Sequence, residues 1–99
     1  MDEFKSIMAE CVDLTSKEET CLYYDFSIAD DTVFCREAYD DADALLRHIE
    51  NVSPAIEKCL TISEIARVEL HGPAAELAKL KETMADLNPT YFEHAIGVS

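Results

Sequence analysis

The first hydrophobic pattern in the chain is helical. Apolar residues recur at three- and four-residue spacings, as they do along the buried face of an amphipathic helix. The stripe consists of Phe4, Ile7, Met8 and Cys11. Asp2 stands ahead of it as a possible N-cap, with acidic residues in the first turn. We therefore predict that a helix opens the chain.

The segment from Thr20 to Tyr39 is rich in aromatic and β-branched residues and is broken at Asp30 and Asp31. This composition is typical of a β-hairpin, with strands at about 21–28 and 32–39. If the two aspartates form the turn, the strand register follows from it. The facing pairs are then Tyr24 with Glu37, Asp25 with Arg36, and Phe26 with Cys35.

One face of this hairpin is the more hydrophobic. It carries Leu22, Tyr24, Phe26, Ile28, Val33, Cys35, Glu37 and Tyr39. The other face carries Cys21, Tyr23, Asp25, Ser27, Phe34, Arg36 and Ala38. Because neither face is fully polar, we expect the sheet to need two covers, with helices on one side.

Helical spacing returns after the hairpin. Asp40 or Asp41 can cap a second helix, and Ser53-Pro54 has the form that starts a short third helix toward Cys59. The buried stripe of the second helix is Ala42, Leu45, Leu46 and Ile49. Alternation from Thr61 to His71 predicts a third strand, which Gly72-Pro73 ends.

The last helix begins at Gly72-Pro73 and is stopped by Asn88-Pro89, before a final strand from Tyr91 to Val98. Its buried stripe is Leu77, Leu80, Met84 and Leu87. The order is αββα(α)βαβ, and 99 residues suit one domain. We predict a single ferredoxin-like α+β domain over residues 1–99, with an antiparallel sheet of about four strands and helices on one face.

The chain is strongly acidic, with 21 Asp and Glu against 8 Lys and Arg and a formal net charge of −13. Nucleic acids and anionic membranes attract basic patches, so the composition argues against both partners. The acidic surface fits a solvated exterior better than a specific cationic partner. No apolar run approaches the roughly 20 residues that cross a bilayer.

Four cysteines, Cys11, Cys21, Cys35 and Cys59, show no C-x-x-C spacing, and the sequence shows no charged-then-apolar pattern of a secretory leader. We therefore expect reduced thiols and a cytoplasmic location. Thiolate catalysis needs neighbouring positive charge, which this sequence scarcely supplies. Its two glycines also exclude a glycine-rich phosphate loop.

Four stretches resemble the antibiotic biosynthesis monooxygenase family, whose members are dimeric α/β barrels. They are Glu19 to Tyr24, Asp30-Asp31, Glu37 to Asp41, and Ala44 to His48. The resemblance covers about residues 1 to 70. It implies a homodimer whose sheets pack together, with a small hydrophobic pocket in each subunit.

The chain departs from that family in two respects. Family members begin with a strand ahead of the first helix, whereas Met1 stands almost at the helix. Tyr91 to Val98, from the same chain or from a partner, can fill the place of that strand; we prefer the same chain. A fragment of a longer reading frame is the other explanation. The heme-degrading branch uses an Asn, a Trp and a His that have no counterpart here, so heme degradation is not expected.

The family resemblance implies cofactor-free oxidation of a phenol-like or quinol substrate. The pocket lining would be Tyr24, Phe26, Cys35, Glu37 and Tyr39. A buried carboxylate near tyrosines is suited to deprotonating a phenol, which makes Glu37 the candidate base. The alternative is that both tyrosines are core aromatics and Glu37 pairs across the dimer.

Histidines complete the candidate site. We expect His48 near the C-terminal end of the second helix, where the helix dipole favours a protonated imidazole and therefore a structural role. The family resemblance instead implies that His48 approaches the pocket. His94, on the last strand, is a candidate ligand-binding residue that can face His71. Two histidines without a third ligand do not make a metal site, so we expect neither metal nor cofactor.

Two functions follow as hypotheses. The first is a cofactor-independent monooxygenase acting on a small aromatic or quinol substrate, with Glu37, Tyr39 and His48 as catalytic residues. The second is a non-catalytic dimer that binds a small hydrophobic ligand or regulates another process. The same fold can support either, so the site must decide.

Overall fold

The structure is a computed structural model, which describes residues 2–98. Its helices are α1 (Asp2–Thr15), α2 (Ala42–Leu60) and α3 (Ala74–Met84), the last followed by a 3₁₀ turn at Ala85–Leu87. Its strands are β1 (Cys21–Ala29), β2 (Thr32–Tyr39), β3 (Glu69–Gly72) and β4 (Thr90–Glu93). The content is α+β, as predicted. None of the helices in residues 2–98 is long and apolar enough to cross a membrane.

The backbone contacts divide the chain into two compact units, Met1–Glu64 and Ile65–Ser99. The first unit contains α1, the β1–β2 hairpin and α2. The second contains the parallel pair β3 and β4 together with α3. The pairing of β4 with β3 is parallel, which differs from the antiparallel sheet expected from the sequence.

The hairpin confirms the predicted register. Tyr24 lies opposite Glu37, and Phe26 lies opposite Cys35. Asp30 takes up a left-handed backbone conformation (φ 54°) at the turn, which an aspartate tolerates better than most residues. The predicted register is wrong only at the start of β1, where a bulge places Cys21 opposite Tyr39. Leu22, assigned from the sequence to the more hydrophobic face, lies at this bulge and is 63% exposed.

The core of the first unit lies between the two helices and one face of the hairpin. Ile7 and Cys11 of α1 and Ala55 of α2 are buried together. Tyr24, Phe26 and Cys59 pack against them. The predicted stripe of α1 is thus confirmed, and helices cover the more hydrophobic face. The other face leaves Tyr23 and Phe34 exposed.

The second helix is longer than predicted. Asp41 caps it by accepting the backbone N–H of Ala44 at 2.8 Å. The helix then runs through Pro54 to Leu60, so the separate third helix predicted at Ser53-Pro54 is wrong. Proline removes one helical hydrogen bond. Burial of Val52 and Ala55 on either side of Pro54 keeps the helix continuous.

The strands of the second unit are shorter than predicted. Of the expected 61–71 strand only residues 69–71 are regular, within β3, and the last strand ends at Glu93 instead of Val98. Alternation of apolar residues alone does not fix the length of these strands, because a strand also needs a hydrogen-bonded neighbour along its length. In α3 Leu77, Leu80 and Met84 are buried as predicted, whereas Leu87 falls in the 3₁₀ turn and is exposed.

Candidate functional site

Glu37, in the middle of β2, lies at the centre of a cluster of polar side chains. Tyr39 Oη donates a hydrogen bond to its Oε1 atom at 2.9 Å, and Cys35 Sγ donates to its Oε2 atom at 2.9 Å. The three residues share one face because side chains alternate along a strand. Both carboxylate oxygens thus have donors, while the Glu37 side chain remains 31% exposed.

His48 reaches this cluster from α2. It follows Ala44 by one helical turn on the buried face, and its side chain is only 3% exposed. Its Nε2 atom lies 3.6 Å from Glu37 Oε1, and its Nδ1 atom lies 2.9 Å from Glu18 Oε2. The ring packs against Tyr24 and Tyr39, with centroids 5.1 and 4.9 Å away. The imidazole therefore lies between two carboxylates.

Glu18 fixes the orientation of the imidazole. An ionised carboxylate only accepts hydrogen bonds, so Nδ1 of His48 carries the proton in their 2.9 Å contact. Asn51 Nδ2 donates both to Glu18 Oε2, at 2.9 Å, and to the carbonyl oxygen of Leu14, at 3.0 Å. These bonds connect α2 to the end of α1 and to the loop that follows it.

Sequence reasoning missed Glu18 and Asn51. Asn51 lies three residues after His48 on the same helix, a spacing that places the two side chains on one face. That spacing was a usable signal. Glu18 lies in a loop, outside any periodic pattern, and nothing in its surroundings marked it.

The tyrosines and the thiol of the cluster are held in their protonated forms. Burial raises the pKa of Tyr39, and the neighbouring Glu37 carboxylate raises it further. Burial also raises the pKa of Tyr24, with contributions from Cys35, Cys11 and Glu37. Burial and Glu37 raise the pKa of the Cys35 thiol in the same way. These groups are suited to donating hydrogen bonds, which leaves the proton-accepting role to Glu37 and His48.

The structure brings six of the predicted site residues together. They are Tyr24, Phe26, Cys35, Glu37, Tyr39 and His48. Phe26 packs edge-on against Tyr24 and belongs mainly to the core. His48 lies in the first half of α2, so its predicted place near the C-terminal end is wrong, as is the dipole argument drawn from it.

His94 belongs to the second unit and lies one residue beyond β4, where it is exposed. Its backbone N–H donates to the carbonyl oxygen of Gly72 at 2.8 Å. Its role in ligand binding stays a prediction. Within residues 2–98, no three His, Cys, Asp or Glu side chains are grouped so as to hold a metal ion.

Two open clefts flank the cluster. One, of about 500 Å³, is lined by Lys17, Glu18, Glu19, Thr20, Arg47 and Asn51. The other, of about 260 Å³, is lined by Val12, Thr15, Ser16, Glu18, Cys21, Tyr23 and Tyr24. Of the predicted lining residues, only Tyr24 borders a cleft, and Glu37 and Tyr39 border neither. The clefts instead meet at Glu18, which borders both.

These observations define an α+β protein with a carboxylate–imidazole–carboxylate cluster between a hairpin and its helices. Among solved structures, the crystal structure of MupZ from Pseudomonas fluorescens is similar, with a TM-score of 0.94 and 38% sequence identity. The match covers 100% of this chain and 77% of MupZ. This chain therefore belongs to the MupZ family, and the ferredoxin-like fold predicted from the sequence is confirmed.

No protein-family model matches the chain. No curated protein matches it either. The resemblance to antibiotic biosynthesis monooxygenases is thus supported in its fold, whereas the monooxygenase family assignment and activity stay predictions.

Proposed function

We propose that this protein is an enzyme that moves protons to and from a small organic substrate, with Glu37 as the general base. The observation that carries the proposal is the Glu18–His48–Glu37 arrangement. A buried imidazole is held on one nitrogen by a carboxylate, and its other nitrogen lies 3.6 Å from a second, partly exposed carboxylate. A base oriented by a further group is the usual design of acid–base sites.

Each member of the cluster has a distinct role in this proposal. Glu37 is the exposed member, so it meets the substrate and takes the proton. Because Nδ1 of His48 is protonated toward Glu18, a neutral imidazole has its lone pair on Nε2, beside Glu37. A proton accepted by Glu37 therefore has an adjacent nitrogen to receive it. Tyr39 and Cys35 hold the carboxylate in place through their hydrogen bonds.

The reaction that the family resemblance favours is cofactor-independent monooxygenation of a phenol or quinol. Deprotonation by Glu37 gives a phenolate, whose electrons reduce O₂ directly. For a quinol, one ring C–H becomes C–OH, the ring is oxidised to the quinone, and the second oxygen atom leaves as water. The quinol and one O₂ together contain the same atoms as the hydroxyquinone and one water. The quinol itself supplies all four electrons that reduce O₂.

Oxygen uptake with 1,4-benzenediol tests this proposal directly. We expect uptake by the wild-type protein in stoichiometric proportion to substrate, with ¹⁸O from ¹⁸O₂ appearing in the product. Glu37→Gln should lower the rate by about 100-fold or more, because positioned proton transfer contributes that much. Glu57→Gln, on the exposed face of α2, is the matched control and should retain full activity.

Unchanged turnover in Glu37→Gln and in Tyr39→Phe would remove the basis of the acid–base site. Proton exchange at an activated C–H of the substrate without oxygen uptake would support the acid–base enzyme and reject monooxygenation. The two parts of the proposal are therefore separable by experiment.

A second candidate function is a ligand-binding or regulatory homodimer without catalysis. Two observations favour it: both Glu37 oxygens already accept internal hydrogen bonds, and the outer face of the hairpin exposes Tyr23 and Phe34. Aromatic side chains on a sheet face are suited to packing against a second sheet. Light scattering should then give twice the 11.1 kDa subunit mass, and Phe34→Glu should return it to the monomer value.

A further inference from the structure

Thr15, the last residue of α1, has a buried hydroxyl group without a hydrogen-bond partner. The residue is 4% exposed, and among residues 2–98 its Oγ1 is the one buried side-chain polar atom found without a partner. A helical threonine usually satisfies its hydroxyl on a backbone carbonyl three or four residues earlier. An unpartnered buried hydroxyl destabilises a fold, so this group is available to a partner from outside the chain, a water or a ligand.

The same residue borders the smaller cleft, of about 260 Å³. The cleft lies between the end of α1 and the start of β1. Its lining is divided about equally between polar and apolar surface, with Val12, Tyr23 and Tyr24 beside the polar residues Ser16 and Glu18. Clefts that join apolar surface to a few fixed polar groups are suited to small organic ligands.

This cleft adjoins the proton-transfer cluster. Glu18 borders the cleft and holds His48. Tyr24 also borders it, and the Tyr24 ring packs 5.1 Å from the His48 ring. The charges of both Glu18 and Glu37 act on the thiol of Cys21, a third lining residue. A molecule in the cleft therefore lies against Glu18 and Tyr24, the two lining residues that contact His48, although Glu37 itself does not border the cleft.

We propose that this cleft binds an uncharged, mainly apolar molecule bearing a hydroxyl or carbonyl oxygen, and that the Thr15 hydroxyl donates a hydrogen bond to that oxygen. Threonine populates two side-chain rotamers in helices, so rotation about the Cα–Cβ bond turns the hydroxyl toward the ligand. Glu18 and the formal net charge of −13 repel anions, so an anionic ligand is excluded. That this ligand is the substrate rests on the proposed function; the binding itself does not.

Titrations followed by amide NMR, with three probes of one shape, test the proposal. The probes are p-cresol, p-xylene, which lacks the oxygen, and 4-methylbenzoate, which is an anion. We expect p-cresol to shift the amides of residues 12–24 saturably, and more tightly than either other probe. Thr15→Val should weaken p-cresol binding about two- to tenfold, the range for one hydrogen bond, and leave p-xylene unchanged. Thr15→Ser keeps the hydroxyl and should retain affinity, as should Thr32→Val, at the hairpin turn.

Equal p-cresol affinity in wild type and Thr15→Val would overturn the proposal, and so would tighter binding of p-xylene or of 4-methylbenzoate. Glu37→Gln separates this inference from the proposed function. If that variant binds p-cresol normally while neither protein turns over any substrate, the cleft is a binding site and the catalytic proposal fails. If turnover depends on Glu37 but p-cresol shifts no residue near Thr15, the cleft proposal fails alone.

Discussion

The two units of the chain each contain a histidine beside a glutamate, but in opposite environments. In the first unit His48 is 3% exposed and lies 2.9 Å from Glu18. In the second unit His71 is 64% exposed and lies 3.3 Å from Glu69, on the same short strand. His48 packs against Tyr24 and Tyr39, whereas His71 stacks on Phe92. The same pair of residue types therefore gives a fixed hydrogen bond in one unit and a solvent-screened contact in the other.

The largest difference in stability between the two histidine–glutamate pairs should appear when each imidazole is removed. His48→Ala leaves a cavity between two tyrosine rings and deprives Glu18 of a partner, so we expect the free energy of unfolding to fall by about 3 kcal/mol. His71→Ala should change it by no more than about 0.5 kcal/mol. Urea denaturation of the two variants checks both values. Similar losses in both variants would show that the burial difference has no energetic consequence.

Replacing the glutamate of each pair, Glu18 or Glu69, should change the free energy of unfolding by smaller amounts. Glu18→Gln still accepts from His48 Nδ1, but it exchanges a charge-assisted hydrogen bond for a neutral one and should cost about 1–2 kcal/mol. Glu69→Gln should cost a few tenths of a kcal/mol or nothing. Denaturation measures the two effects, and the ¹⁵N shifts of His48 report whether Nδ1 keeps its proton. If Glu18→Gln leaves the free energy of unfolding unchanged, Glu18 does not hold the imidazole.

Alkaline pH should destabilise the first unit through its raised pKa values. In the unfolded chain thiols and phenols ionise from about pH 9 to 10, whereas Cys35, Tyr24 and Tyr39 keep their protons in the folded chain. The folded state then holds more protons, so stability is fully present below this range and is lost as the pH rises. The loss is about 1.4 kcal/mol per pH unit for each group. Denaturation at several pH values measures the slope, which Tyr39→Phe should make shallower.

The smallest expected effect concerns Thr15. Replacing an unpartnered buried hydroxyl by a methyl group of the same shape removes a penalty, so Thr15→Val should raise the free energy of unfolding by up to about 1 kcal/mol. The exposed Thr32→Val should change it less. Thermal and urea denaturation check this. A clear loss of stability in Thr15→Val would show that the hydroxyl is satisfied within the fold.

Much of the secondary structure was predictable because it depends on local periodicity. The α1 stripe and the register of the hairpin from Tyr24 onward followed from spacing and from the Asp30-Asp31 turn. Most of the candidate site was predictable too, since Cys35, Glu37 and Tyr39 share a strand face by alternation. The position of His48 beside them came only from the family resemblance.

The sequence by itself determined which residues line each face of α1, of α3 and of most of the hairpin, because those choices depend on neighbours a few positions away. The tertiary structure alone decided the bulge that moves Cys21 and Leu22, the continuity of α2 through Pro54, and the bonds from Glu18 to His48 and Asn51. Those two bonds join residues 30 and 33 positions apart. No local pattern encodes such pairs, since they form only when packed helices bring buried polar groups to partners that satisfy them.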